Sequence, residues 1–578
     1  MLRRYMAIHN IEIANIFNKL ANLLEIANEN PFRIRAYRNA ARVIGGLSHN
    51  AADLVEDGGD LTGLPGIGKD LAEKIRIIVK TGELPLLKKM EKRVPPVLNE
   101  LLKIEGLGPK RVQLLHKKLG IQNLNDLKKC IESGKLRKLR GFGEKAEQKI
   151  LSGMQHIREY SQRVKLVDAI TIERSIIQYL KKSKYVKKVE CAGSFRRRKE
   201  TVGDLDIVVA SSDTKKSIEY FVRFDEIATV VSQGNTRSTV RLHSGIQVDL
   251  RSVPLESYGA ALLYFTGSKA HSIAIRKLAQ KKNLKLNEYG IYKGNKKVAG
   301  KTEEEMYRQI GLAYIEPEIR EDRGEIELAR KHQLPRLITL KDIRGDLHCH
   351  TNATDGDASI EMMAQKAQEL GYQYIAITDH SKHLAMAHGL NEKRLFAQIK
   401  LIDKLNSKLK NIVILKSIEV DILEDGSLDL PKNILKELDF TVCSIHSKFN
   451  LNSKKQTGRI IRAMDNPFFN ILAHPTGRLI NQREPYEIDL EKIMESAKER
   501  NCILELNAQP ERMDMDDIHC KIAKELRLKM AISSDAHSKS QMDYIKFGVY
   551  QARRGWLEAT DVINTRTVSE LKKLFRRS

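Results

Sequence analysis

The sequence predicts a multidomain chain of α+β and α/β character, with a helical N-terminal part, a sheet-bearing middle and a C-terminal parallel α/β barrel. Three observations predict it. A Gly-rich motif recurs three times before residue 151, and in the middle a strand carries two aspartates at i and i+2. Beyond Arg344, short apolar runs alternate with helical stretches.

The chain has 578 residues, room for about three to five domains. Lys and Arg total 100 against 74 Asp and Glu, a formal net charge of +26. Such an excess points to a polyanionic partner, nucleic acid before membrane. From Lys341 onward about 37 basic residues meet about 34 acidic ones, so nearly all the surplus lies N-terminal to it. Six scattered cysteines without CxxC spacing argue against a disulfide framework and a thiolate zinc site, and point to a reducing cytoplasm. Met1 to Asn10 lacks an apolar core, and no run approaches the roughly 18 apolar residues of a membrane helix. A soluble protein is expected.

Ile11 to Ile44 shows helical periodicity, with Arg33, Arg35, Arg38 and Arg42 set among apolar and aromatic positions. By itself this reads equally as a solvated helix face. LPGIGKDLAEKI (Leu64 to Ile75), IEGLGPKRVQLL (Ile104 to Leu115) and LRGFGEKAEQKI (Leu139 to Ile150) then repeat one pattern: apolar, any residue, Gly, apolar, Gly, helix. Gly66 and Gly68, Gly106 and Gly108, and Gly141 and Gly143 let the backbone turn tightly, so that free N–H groups at a helix start can meet a phosphate. The segments resemble helix-hairpin-helix motifs, which grip the DNA backbone without reading sequence. In the third, Glu144 sits where a positive charge would help.

In AGSFRRRKETVGDLDIVVAS (Ala192 to Ser211), Gly203 ends a turn and Asp204 and Asp206 open a β-rich run. Side chains alternate along a strand, so both carboxylates share a face and can hold two Mg²⁺ ions. Alone, the pair reads more readily as two exposed aspartates on a surface strand. Asp249, in another strand (Ser238 to Val253), supplies a third carboxylate, while Gly193 and Ser194 turn close enough to meet phosphates and Arg197 offers a guanidinium fork.

GSFRR, GDLD, VDLR, YFTGS (Tyr264 to Ser268) and LNEYG (Leu286 to Gly290), in that order, resemble the family X DNA polymerases over about Ile11 to Glu321. The resemblance implies a nucleotidyltransferase palm in which Asp204, Asp206 and Asp249 are catalytic ligands of Mg²⁺ or Mn²⁺. It implies that Ser194, Arg197 and Gly203 contact the triphosphate of a deoxynucleotide, and that Tyr264, Phe265 and Gly267 shape the sugar pocket. His271 and Arg276 are then expected near the nascent base pair or template. Ser272 departs from the asparagine of the polymerase beta pattern. Lys74 aligns with a Schiff-base lysine of the abasic-site lyase reaction, but Asp70 stands where polymerase beta has another lysine, and a nearby carboxylate opposes a neutral amine.

The apolar runs of the C-terminal part are YIAITDH, IVILKSIEVDI, FTVCSIHS, NILAHP, CILELNA and KMAISSDAH. Five of them carry candidates, His380 ending the first, Glu419 within the second, then His446, His474, and Asp535 with His537, and GDLHCHTNATDG (Gly345 to Gly356) adds His348, His350 and Asp355. Groups at the C-terminal ends of barrel strands converge on one pocket. Nine nitrogen and oxygen ligands suit about three ions. The set resembles the PHP (polymerase and histidinol phosphatase) family of phosphoesterases over about Arg344 to Lys573, which implies a distorted (β/α) barrel binding Mn²⁺, Zn²⁺ or Fe²⁺.

The expected domains are 1–85, helical with the first motif; 86–160, fingers-like with the other two; 161–260, the palm; 261–321, the nucleotide-selecting subdomain; 322–343, a linker with Pro335 and mixed charge; and 344–578, the metallophosphoesterase. The combined expectation is a cytoplasmic repair enzyme. It fills short gaps in primer-template DNA with deoxynucleoside triphosphates and hydrolyses 3′ ends in the 3′-5′ direction, with incision of abasic sites as a related reaction. The alternatives are a polymerase with a structural, silent PHP domain, and a small-molecule phosphatase anchored by its basic half.

Overall fold

Proline fixes φ and lacks an N–H, which suits the first position of a helix, and Pro31, Pro85 and Pro109 each open one: Pro31–Gly45, Pro85–Arg93 and Pro109–Leu119. This computed structural model describes residues 10–27, 29–45, 51–56, 58–93, 109–121, 124–139 and 163–575, with 101, 107, 142, 143, 147 and 150 as isolated positions. The chain divides into two units, Met1–Gln162 and Arg163–Ser578.

In the first unit the periodicity of Ile11–Ile44 is not one stretch. Asn10–Ile26 ends before Asn30, whose Oδ1 accepts from the Phe32 N–H at 2.9 Å as the second helix starts. Phe17, Leu20, Leu24, Tyr37, Ile75, Val112 and Leu115 fill one apolar core. Of the four arginines, Arg38 pairs with Glu25 at 2.6 Å and Arg35 lies over the Phe32 ring at 4.6 Å.

The second unit begins with a mixed five-stranded sheet beside the helix Leu166–Lys181. Its order is Val186–Cys191, Asp204–Ser211, Gln247–Val253, Arg237–Leu242, Ile227–Gln233. Asp204–Ser211 and Gln247–Val253 run parallel with Asp206 opposite Asp249, and the other pairs are antiparallel. Tyr258–Thr266, Lys269–Lys281, three short strands and Glu303–Gln309 follow around a core that includes Leu263, Ile275 and Tyr307.

Residues 322–343, expected as a linker, are packed. Glu325–Lys331 is a helix whose Glu325 and Ala329 are buried, Leu337 joins the core of the preceding subdomain and Ile338 that of the barrel. Mixed charge and Pro335 hide this, because they interrupt the apolar residues before a helical or strand period is established.

The barrel strands form two parallel sheets of three and five strands. A parallel bridge between His380 and Glu419 joins the sheets, and another between Cys349 and Ala536 brings the first run against the last. Strand ends therefore gather around one centre. The barrel also lies against the palm: Ile480, Met513 and Phe547 share a core with Leu166, Ile176 and Leu250. Arg478 pairs with Glu200 at 2.6 Å across that contact, and Trp556 enters the core around Tyr307. Among the described residues no helix is long and apolar enough to cross a membrane.

Candidate active sites

The period-two alternation of DLD places Asp204 and Asp206 on one face of their strand, and the parallel register sets Asp249 beside Asp206. Burial, then Asp204 and Asp249, push Asp206 up to about 7, and burial followed by Asp249 raises Asp204. Buried carboxylates that also face one another fit a divalent cation, which offsets both the burial of charge and the repulsion. Asp249 is oriented by two neighbours absent from the sequence reading: the Thr239 Oγ1–H donates to Oδ1 at 2.5 Å and the Gln247 Nε2–H to Oδ2 at 2.7 Å. Both lie on strands at alternating positions, the only signal that could have found them.

Asp204 and Asp206 open onto a cleft of about 1000 Å³ that Ser194, Arg197, Tyr264, Phe265, Gly267 and Arg276 also line. Gly193 approaches the aspartates closely: at φ +60°, a Cβ there would stand 2.3 Å from Asp206 Oδ2. Gly203 adjoins the cleft, with Arg163 Nη1 3.3 Å from where its Cβ would be. Tyr264 and Phe265 meet edge to face at 5.1 Å, with Arg276 5.7 Å from the Tyr264 ring centroid. His271 does not join them. It is fully buried between Glu325 at 2.7 Å and the Tyr307 hydroxyl at 2.9 Å, because its place on Lys269–Lys281 faces the core.

All nine barrel groups come together. Glu419 is the hub: His380 Nδ1 and His474 Nε2 lie 2.9 Å from its carboxylate, and the Nε2 atoms of His348, His446 and His350 lie at 3.4, 3.4 and 3.5 Å. Asp535 is 3.2 Å from His350, and Asp355 is 3.3 Å from His380 and 3.5 Å from His537. Three ligand groups with atoms within 4.8 Å of one another result: His350, Asp355, His380 and His537; His348, His350 and Asp535; His380, Glu419 and His446. His348 Nε2 and both ring nitrogens of His350 are buried without a hydrogen-bond partner among the described residues. Leaving such atoms unpaired costs about 1–3 kcal/mol each, whereas a metal would satisfy them. Burial, then His537 and His380, push His350 down to about 3, which keeps the neutral imidazole that binds metal.

CILELNA, the one run without an assigned ligand, buttresses the others. Glu505 accepts from His348 Nδ1 at 2.7 Å and from the His474 N–H at 2.8 Å, and Asn507 Nδ2 donates to Asp535 at 3.0 Å. Asp379 accepts from the Thr351 N–H and hydroxyl, the Thr354 hydroxyl and Gln398, fixing the loop that carries Asp355.

In the helical unit, Gly66 has φ +77° and Gly68 caps the helix Lys69–Thr81, a turn that exposes the first N–H groups. A Cβ on Gly66 would stand 2.2 Å from Asn39 Nδ2. Gly143 is exposed, and Gly106, Gly108 and Gly141 lie outside the described residues. Lys74 is ion-paired with Asp70 one turn away.

Family models match in chain order: a helix-hairpin-helix domain (8–84), a SAM-like helix-hairpin-helix tandem (98–155), a DNA polymerase beta palm (166–245), a DNA polymerase beta thumb (261–321) and a PHP domain (346–509). The class is thus a polymerase beta-type nucleotidyltransferase joined to a PHP phosphoesterase. Along 574 residues, 99% of this chain and 100% of the relative, it is 37% identical to the DNA polymerase/3′-5′ exonuclease PolX of Bacillus subtilis (strain 168), and it belongs to that family, the family X polymerases with a C-terminal PHP domain. A "Probable phosphatase" of Thermoanaerobacter sp. (strain X514) is 30% identical over 40% of this chain and 94% of its own. DNA polymerase lambda of Arabidopsis thaliana is 26% identical over 53% of this chain and 61% of its own.

Proposed function

We propose that this cytoplasmic enzyme fills short gaps in damaged DNA at the palm cleft and removes 3′ nucleotides or blocked 3′ ends at the barrel. One observation carries the reading: a chain matching a polymerase/exonuclease along its length keeps an aspartate triad beside a cleft and a nine-group ligand cluster.

At the cleft, Asp204, Asp206 and Asp249 would hold Mg²⁺ or Mn²⁺. Such ions stabilise charge on the attacking and leaving oxygens of phosphoryl transfer. Ser194 and Arg197 bind the triphosphate, Arg197 through a guanidinium fork suited to phosphate oxygens, and Gly203 lets that backbone come close. Tyr264, Phe265 and Gly267 close on the sugar, where a 2′-hydroxyl would meet ring and backbone, and Arg276 steadies Tyr264. Gly66, Gly68 and Gly143, with Gly106, Gly108 and Gly141, grip the DNA backbone.

At the barrel, His348, His350, Asp355, His380, Glu419, His446, His474, Asp535 and His537 would hold about three ions of Mn²⁺, Zn²⁺ or Fe²⁺. Those ions would activate water and neutralise phosphate charge. Glu505 and Asp379 keep the ligand imidazoles and the Asp355 loop in place. The Lys74–Asp70 ion pair occupies the ammonium that a Schiff-base lyase needs free, which argues against lyase activity at Lys74.

The test is a 5′-labelled primer in a one-nucleotide gap with Mn²⁺, with and without deoxynucleotides. Extension in the first case and shortening in the second are expected. Extension without shortening would leave the barrel a silent support, and neither would overturn the reading.

A further inference from the structure

The barrel reaches into the wall of the polymerase cleft. The helix Ile545–Arg554 lies against the palm: Phe547 is part of the palm core, and Tyr550 lies under the Arg198 guanidinium at 4.5 Å. Its last residue, Arg554, has a fully buried side chain that also borders the cleft.

Arg554 Nη1 donates to the Arg197 carbonyl at 2.7 Å, and its fork meets Glu321 at 3.3 Å and Asp517 at 2.5 Å. Glu321 in turn accepts from Arg197 Nε at 3.1 Å. One barrel side chain therefore holds Arg197 twice, directly by its backbone and through Glu321 by its guanidinium. Arg197 Nη1 donates to the Thr266 carbonyl at 2.5 Å. An arginine has five N–H donors. The two that are anchored fix the plane of the fork and leave the others for phosphate oxygens in the cleft that Arg197 lines.

We propose that Arg554 is a positioning residue for nucleotide binding: it presets Arg197 to meet the triphosphate, so that the hydrolytic barrel is also a working part of the polymerase. This rests on the reading of the cleft as the triphosphate site. A preset fork loses less freedom when it binds, so its loss should weaken nucleotide binding more than it slows chemistry.

Single-nucleotide gap filling by full-length protein, measured against deoxynucleotide concentration, tests this with Arg554→Met, Arg554→Lys, Arg197→Met and the Arg554→Met/Arg197→Met double variant. Arg554→Met should raise KM about tenfold while kcat changes less than about threefold, and Arg554→Lys should fall between it and the parent. In the Arg197→Met background, Arg554→Met should add little, because the two act as one unit. An unchanged KM in Arg554→Met, or an equal effect in both backgrounds, would overturn the proposal. If Arg197→Met alone left KM unchanged, the triphosphate reading itself would fall. Should Arg554→Met not fold, because buried Asp517 and Glu321 each lose one of their cationic partners and keep only Arg323, or Arg197 and Lys199, Arg554→Lys decides: it keeps the charge but not the fork, and its KM must rise about threefold.

Discussion

The Nδ1–H of buried His348 donates to Glu505 Oε1 at 2.7 Å, which turns the unpaired Nε2 toward Glu419 and Asp535, 3.4 and 3.6 Å away. A carboxylate behind a ligating imidazole fixes its tautomer and raises its basicity. Glu505→Gln should therefore lower metal content and 3′-end hydrolysis about 10- to 100-fold while gap filling continues. Elemental analysis of the purified variant, alongside both assays, checks this; full metal occupancy would show that Glu505 only packs.

The two sites should separate by substitution. Asp249→Ala is expected to abolish synthesis and spare hydrolysis, and His350→Ala to do the reverse. Gln247→Met, which removes one of the two donors to Asp249, should slow synthesis about tenfold without unfolding the palm, as loss of one charge-assisted hydrogen bond of about 1.5 kcal/mol implies. Loss of both activities from either metal-ligand substitution would contradict two independent sites.

Gly193 is open to a sharper test. Its φ of +60° suits glycine, and a Cβ would stand 2.3 Å from Asp206 Oδ2. Gly193→Ala should drive that carboxylate from its place beside Asp249 and cost at least about 100-fold in kcat, a barrier change of about 2.7 kcal/mol. Hydrolysis by the same preparation is the control, because the barrel ligands lie elsewhere.

Much of both sites is legible where chemistry coincides with local periodicity. Asp204 and Asp206 share a face because strands alternate, and the barrel histidines converge because parallel strands end on one side. Glu505 escapes that logic: it sits inside a strand between Leu504 and Leu506, and only the sheet reveals His348 behind it. The Ile11–Ile44 periodicity runs through the break at Pro31, since apolar spacing alone does not mark a cap. The inward turn of His271 depends on Glu325, which lies 54 residues away in the supposed linker. Arg554 is further still from Arg197, 357 residues along the chain, and no local pattern records such a contact.

Acid should destabilise the second unit in part through two buried carboxylates, Glu303 and Glu321. Against the opposing effect of burial, Arg320 and Arg196 hold Glu303 down to about 2, and Arg554, Lys199 and Arg197 hold Glu321 down to about 2. Glu303 takes Arg196 Nη2 at 2.7 Å and Arg320 Nη1 at 2.5 Å. Because both acids are depressed on folding, the unfolded chain binds more protons at intermediate pH. Their stabilisation is complete above the ordinary carboxylate value of 4.5 and is lost as pH falls from there to about 2. Linkage over that span amounts to about 3 kcal/mol per group. Trp556, the chain's single tryptophan, packs in the same core as Tyr307 and so reports on this region. Its fluorescence in urea should give a midpoint nearly independent of Glu303 and Glu321 titration between pH 7 and 5, then falling steeply toward pH 2. Glu303→Gln should lower the midpoint at pH 7 and flatten the acid slope; an unchanged slope would assign the acid sensitivity to other groups.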